Sequence, residues 1–190
     1  MQAEDFAKPL SIVSALVGFR RPWCLAGGWA IDLWLGEVTR QHTGVTIAIL
    51  RDHQIDLRDH FPTWRFKLQA RDGRLFPWKD RQMLMLPVHT LHATGGPGPV
   101  RFALQESDGI DWIDRRHFDV RLNLSRWIVQ SHGVPVLCPR LALLLKSAGV
   151  RPQDQLDFRA ALDRLDEDRR TWLKLALMRA APHHPWLEVL

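Results

Sequence analysis

The chain has 190 residues, 46% of them hydrophobic and 25% charged, a balance suited to an ordinary globular fold with a real core. Its formal charge of +5, carried far more by arginine than by lysine, favours anionic partners such as nucleotides and RNA, or simply reflects an arginine-rich composition. These bounds exclude a low-complexity chain; no apolar run approaches a membrane span, and the first residues lack a signal pattern, so a cytoplasmic protein with no membrane partner is expected.

The first periodic segment, Pro9 to Phe19, places Leu10, Ile12, Val13, Leu16 and Val17 at helical spacing, with Gly18 as an end signal. Trp23 to Ala26 is an apolar run bounded by Pro22 and the Gly27-Gly28 pair, which suits a buried strand. Two adjacent glycines allow a sharp turn and close backbone approach. The helix that follows begins at that turn, so its free N–H groups face outward as a phosphate-binding element. The competing reading is that the glycines serve only tight packing. Gly36 closes this helix, and Val45 to Leu50 reads as a second strand. Asp52 to Phe61 predicts a further helix.

Beyond Trp64 the pattern alternates. Trp64, Phe66 and Leu68 give a half-buried strand, Asp72-Gly73 a hairpin turn, and Leu75 to Trp78 the return strand. Met83 to Leu86 is a short apolar run, and Gly95 to Pro99 is the clearest loop. Val100, Phe102 and Leu104 then alternate with Arg101, Ala103 and Gln105, and Phe118, Val120, Leu122 and Leu124 with Asp119, Arg121 and Asn123. From Gly133 the period is helical: a helix over Arg140 to Ala148, a second opened by Pro152, a third capped by Asp166, and a closing segment from His183. The expected architecture is α/β (α+β), with a mixed sheet flanked by helices over residues 1–133 and a helical C-terminal lobe over 134–190, packed as one unit. Cys24 and Cys138 lie in apolar surroundings and read as buried free thiols.

Gly27, Gly28, Trp29, Ala30, Ile31 and Asp32, followed by Thr39, Arg40 and His42, together resemble the aminoglycoside nucleotidyltransferase (adenylyltransferase)-like group of the nucleotidyltransferase superfamily. The C-terminal segments Leu144-Leu145-Lys146, Arg151-Pro152 with Asp154, Asp157 and Phe158, Arg170-Thr171-Trp172-Leu173 and Pro182 to Leu187 extend the resemblance over nearly the whole chain. It implies a nucleotidyltransferase fold, a nucleoside triphosphate as ligand and a metal-binding Asp-x-Asp pair on the second strand. Here those two positions are Gly44 and Thr46. Carboxylates two residues apart on a strand share one face and hold divalent metal; glycine and threonine supply no charge for it. Arg140 and Gln153 likewise replace an acid and a lysine of the pattern.

The reading that follows is a degenerate member, a pseudoenzyme with no catalytic and no metal-ligating residues assigned, acting through a nucleotide, RNA or protein partner. Gly27, Gly28, Arg40, His42 and Lys146 are its candidate nucleotide-binding residues. For Arg40 and His42 the alternative is an ion pair with Glu37 or Asp52 that fixes the connector. For Lys146 it is a solvated helix end, and for Asp154 and Asp157 helix-start charge and a local salt bridge. Asp32 reads as a buried hydrogen-bond acceptor for the neighbouring loop. The alternative function is an active transferase that moves a nucleoside monophosphate, with magnesium, onto a hydroxyl of a small molecule or RNA, its acids drawn from Asp119, Asp52 or Asp111. Arg101, Arg115, Arg116, Arg121 and Arg126 form a basic patch if they share a face. His89 and His92 lack metal-ligand spacing, and His183-His184 reads as packing.

Overall fold

The computed structural model describes residues 3–149 and 151–190. After a short 3₁₀ turn, α1 (Ala7–Ala15) buries Pro9 and Ile12, and the chain reverses at Gly18 into β1 (Trp23–Ala26). Helix α2 (Gly28–Leu35) follows at once and ends at Gly36, whose left-handed backbone lets its N–H reach the Asp32 and Leu33 carbonyls. Strand β2 (Val45–Leu50) and α3 (Gln54–His60) complete the first half. Then come β3 (Arg65–Gln69), β4 (Leu75–Pro77), β5 (Thr90–Thr94), β6 (Val100–Ser107), β7 (Asp111–Ile113), β8 (Arg121–Asn123), β9 (Ile128–Ser131) and β10 (Val134–Leu137). The chain closes with α4 (Pro139–Ser147), α5 (Pro152–Leu162), α6 (Glu167–Ala180) and a 3₁₀ turn at Pro185–Glu188.

The ten strands make one mixed sheet. Its main path runs β4-β3-β5-β6-β2-β1-β10-β9, with β7 and β8 attached at the far end of β6. Two neighbour pairs are parallel, β2 with β6 and β1 with β10; the rest are antiparallel. Val45, Ile47 and Ile49 alternate into the core at 1% exposure or less, so Gly44 and Thr46 stand on the opposite face. Trp29, Trp78, Trp112, Trp127 and Trp186 are buried, in keeping with a packing role.

The helices follow local chemistry. Pro139 and Pro152 sit in first turns, where a missing N–H costs nothing. Asp166 caps α6 by accepting from the Arg169 N–H, and the His184 ring accepts from the Trp186 N–H to start the closing turn. Cys24 and Cys138 are both free and buried, and burial pushes both thiols above their ordinary pKa.

Two expectations are corrected. Residues 134–137 do not turn helical: they form β10, which pairs in parallel with β1 and antiparallel with β9. The His132-Gly133 turn has positive φ at both residues, as a tight two-residue hairpin requires. The helical segment therefore begins at Pro139. The alternation from Phe118 to Leu124 yields only the three residues of β8, because Phe118 and Asp119 lie exposed in the preceding turn.

Candidate functional site

Sheet register decides which side chains meet in the cleft. Thr46 pairs with Arg101 on β6 and with Ala26 on β1, and Arg101 pairs with His92 on β5. Directly paired residues project from the same face, so Ala26, Thr46, Arg101 and His92 form one row on the polar side of the sheet. Opposite this face stand α4 and the start of α5. Between them is a cavity of about 430 Å³, bordered by Gly27, Thr46, His89, Arg101, Gln105, Arg115, Lys146, Arg151 and Asp154 among others.

Its charge pattern is uneven. Arg101 and Arg115 have no carboxylate partner among the described residues. Partial burial and the neighbouring Arg116 lower the Arg115 pKa from its ordinary value. Asp154 is the one carboxylate among the lining side chains, and it is engaged by Lys146 at 3.1 Å and by Arg151 at 2.8 Å. Burial pushes its carboxyl up, but the hydrogen bonds and charges of Arg151 and Lys146 outweigh this and hold it low. A divalent cation needs several oxygen ligands of net negative charge. The side chains present, the Thr46 and Thr90 hydroxyls, the Gln69 and Gln105 amides and the His89 ring beside unpaired guanidinium groups, with Asp154 already held by two cations, do not fit one.

The candidate nucleotide contacts fall into two groups. Gly27 lines the cavity with φ 71° and ψ −148°, a conformation that essentially only glycine tolerates. Lys146 also borders it, but this lysine is buried and its ammonium lies 2.6 Å from Asp157 as well as 3.1 Å from Asp154. It is thus no solvated helix end. Arg40 and His42 are absent from the cavity wall. Arg40 grips Asp157 with two hydrogen bonds of 2.7 and 2.8 Å, and His42 meets Asp32 at 2.5 Å. Neither Glu37 nor Asp52 is the partner: the pair for Arg40 comes from α5, 117 residues away. Thr39 donates to the other Asp32 oxygen at 2.6 Å, so Asp32 is the buried acceptor expected. Gly28 packs beneath this connector, with the Arg40 and His42 side chains over its Cα.

The acids offered for an active transferase lie elsewhere. Asp119 is exposed and near Arg179, Asp52 is exposed, and Asp111 is bonded by Asn123; none borders the cavity. The five-arginine patch is also dispersed. Arg101 and Arg115 enter the cleft, while Arg116 pairs with Asp114, Arg121 with Asp108, and Arg126 with Asp168. Arg115 and His89 were visible only as members of a run and a pair; nothing local marks them as cleft residues.

A mixed sheet with a glycine turn after β1 and a cleft roofed by C-terminal helices defines a nucleotidyltransferase fold. The chain belongs to the aminoglycoside-2''-adenylyltransferase family, whose model matches residues 10–159. Among solved structures it is similar to the antibiotic-resistance factor ANT(2'')-Ia, at 16% identity and a TM-score of 0.59, covering 100% of this chain and 96% of that one. The lincosamide antibiotic adenylyltransferase LnuA, bound to lincomycin, is 14% identical with a TM-score of 0.55, over 87% of this chain and 98% of that one. An antigenic nucleotidyltransferase-like protein from Paracoccidioides brasiliensis is 16% identical with a TM-score of 0.50, over 99% and 92%. At such identity these likenesses establish the fold alone. No curated protein sequence matches the chain. No helix among the described residues is long and apolar enough to cross a membrane.

Proposed function

We propose that this family member binds a nucleoside triphosphate in the cleft between the sheet and α4–α5 without divalent metal, and does not transfer the nucleotide. The observation that carries this reading is the row Thr46–Arg101. Where the resemblance puts a metal-binding acid, a neutral hydroxyl stands beside a guanidinium. Fixed arginine charge then offsets the phosphates in place of a bound cation, with Arg101 and Arg115 as the free donors. Gly27 lets the backbone approach the ligand, and Lys146 joins only by sharing itself with two carboxylates.

Calorimetric titration of each nucleoside triphosphate, with magnesium and with a chelator, tests the reading. Binding of equal or greater strength with the chelator is expected, since the free triphosphate carries more negative charge than its magnesium complex. Binding that requires magnesium, or turnover with it, overturns the proposal. The scaffold also permits the converse experiment. A Cβ at Gly44 meets nothing within 4 Å, and Thr46 borders the cavity, so Gly44→Asp/Thr46→Asp fits without repacking. In that variant magnesium is expected to tighten binding, and in wild type it is not.

A pH effect follows from His89. Burial, outweighing its bond to the Pro87 carbonyl and aided by the charges of Arg115 and Arg51, lowers its pKa from 6.5. The ring is therefore neutral at pH 7 and becomes charged only as pH falls through its lowered value. A bound polyphosphate favours the charged form, so affinity rises on acidification and binding takes up protons. A rise of one pKa unit on binding corresponds to about tenfold in affinity. His89→Gln is expected to remove that increment in parallel titrations, which cancels the ligand's own ionisation. Stability has the opposite sign: the unfolded chain takes up this proton first, so acid below about pH 6.5 favours unfolding.

A further inference from the structure

Next to the cleft, past Gly44, the same face of the sheet holds a second cavity of about 440 Å³. Lys8, Arg65, Lys67, His92 and Arg101 border it, and no lining side chain is a carboxylate. Arg65, Lys67 and Arg101 have no ion-pair partner among the described residues, although most arginines of this chain do. Register links the two cavities. Lys67 pairs with His92, His92 with Arg101, and Arg101 with Thr46, so Arg101 stands between them. Three interstrand steps of about 4.8 Å carry this row roughly 14 Å across the sheet. A single compact triphosphate in the first cleft leaves the Arg65–Lys67 end unengaged.

We propose that the two cavities form one groove for single-stranded RNA, with consecutive phosphates tracked by Arg115, Arg101, Lys67 and Arg65. The inference rests on the nucleotide reading of the cleft and extends it. Several observations favour this occupant over a second small anion. The cations are spread along a line instead of clustered, as a strand backbone requires. Along this groove Leu75, 45% exposed, offers an apolar side chain to a base or sugar, while Val45 and Val100 close the floor from within the core. Thr43 and Thr94 border the groove, and their hydroxyls make no hydrogen bond within the described residues. Such groups can meet a ribose 2′-hydroxyl, which DNA lacks. No phenylalanine or tryptophan lines this second cavity and His92 is its single ring, so recognition chiefly follows the backbone with little dependence on sequence.

The test pairs two measurements on the full chain: fluorescence anisotropy with a labelled oligouridylate of about ten nucleotides, and calorimetry with ATP. Arg65→Glu/Lys67→Glu changes two exposed positions of β3, outside the first cavity. The variant is expected to lose RNA affinity by about 100-fold or more while ATP binding is retained. In wild type, log affinity for RNA should fall with log salt at a slope of about −3, for four phosphate contacts on a single strand. The DNA oligomer of matching length should bind more weakly. If ATP binds and RNA does not, or if the variant binds RNA like wild type, the groove proposal fails and the nucleotide reading stands. RNA and DNA binding equally overturns the assignment to RNA. If neither ATP nor RNA binds, both readings fall together.

Discussion

Asp157→Ala is expected to destabilise the protein by about 3–5 kcal/mol, the largest stability loss of any single change in the connector network. Its carboxylate is fully buried and meets two cations, the Arg40 fork at 2.7 and 2.8 Å and the Lys146 ammonium at 2.6 Å. Arg40 is 14% and Lys146 8% exposed at the side chain, so water cannot replace the lost partner. Asp154 still faces Lys146, but nothing else in the network faces the Arg40 fork except the Gln41 carbonyl. Removing one member leaves uncompensated buried charge, which costs far more than the intact pair contributes. For a chain of this length the loss corresponds to a fall of roughly 10 °C in melting temperature. Thermal and urea unfolding measure it directly. The companion variant Arg40→Met/Lys146→Met/Asp157→Leu removes the charges together and should recover most of the stability. A loss below about 1 kcal/mol in Asp157→Ala would show that the network is hydrated and dispensable.

Gly28→Ala comes next, with an expected loss of about 2–3 kcal/mol. Its sign is informative, because alanine in a helix start without a clash would stabilise by up to about 1 kcal/mol. The added Cβ would lie 2.3 Å from the Arg40 guanidinium and 2.4 Å from the His42 ring. Long side chains often yield to such contacts, but these two are held at their far ends. Arg40 is fixed by Asp157, and His42 by Asp32 at 2.5 Å and by its ring packing 4.2 Å from Trp29. Chemical denaturation of Gly28→Ala, His42→Ala and the double variant closes a cycle. A favourable but partial coupling is expected, since deleting the ring removes one of the two clashes while the Arg40 contact at 2.3 Å remains. Gly44→Ala, where a Cβ meets nothing within 4 Å, is the control and should be nearly neutral.

Both predictions concern the same feature. In this chain the Thr39–His42 connector is fastened to α2 through Asp32 and to α5 through Asp157. Arg40 and His42, which the family resemblance offered as phosphate contacts, are engaged by Asp157 and Asp32 and do not line the cavity, while the unpaired positive charge that borders it comes from β6 and the segment after β7. That exchange also explains why the glycine pair is split in purpose. Gly27 supplies a backbone conformation at the cavity wall, and Gly28 supplies space for the connector.

The family model matching residues 10–159 and the fold agree with a resemblance legible in short motifs. β1 at Trp23–Ala26 and β2 at Val45–Leu50 have the bounds expected from their apolar runs, and Gly36 and Asp166 act as the cap signals they resemble. These succeed because strand alternation, helix period and capping are local, set by residues within a few positions of one another. β10 was hidden for a related reason. Val134-Pro135-Val136-Leu137 carries a proline that argues against a strand, and only its place between β1 and β9 makes it one. What sequence determined unaided was therefore the helices and the strands β1, β2, β3, β4 and β6, the family, and Gly44 and Thr46 at the places of the Asp-x-Asp pair, but not β5, β7, β9 or β10. Tertiary structure alone decided that Arg101 stands beside Thr46, that Asp157 neutralises Arg40 and Lys146, and that Asp119 lies outside the cleft. Each depends on strand register or on helix docking across scores of residues, and charge has no periodicity from which such partners can be read.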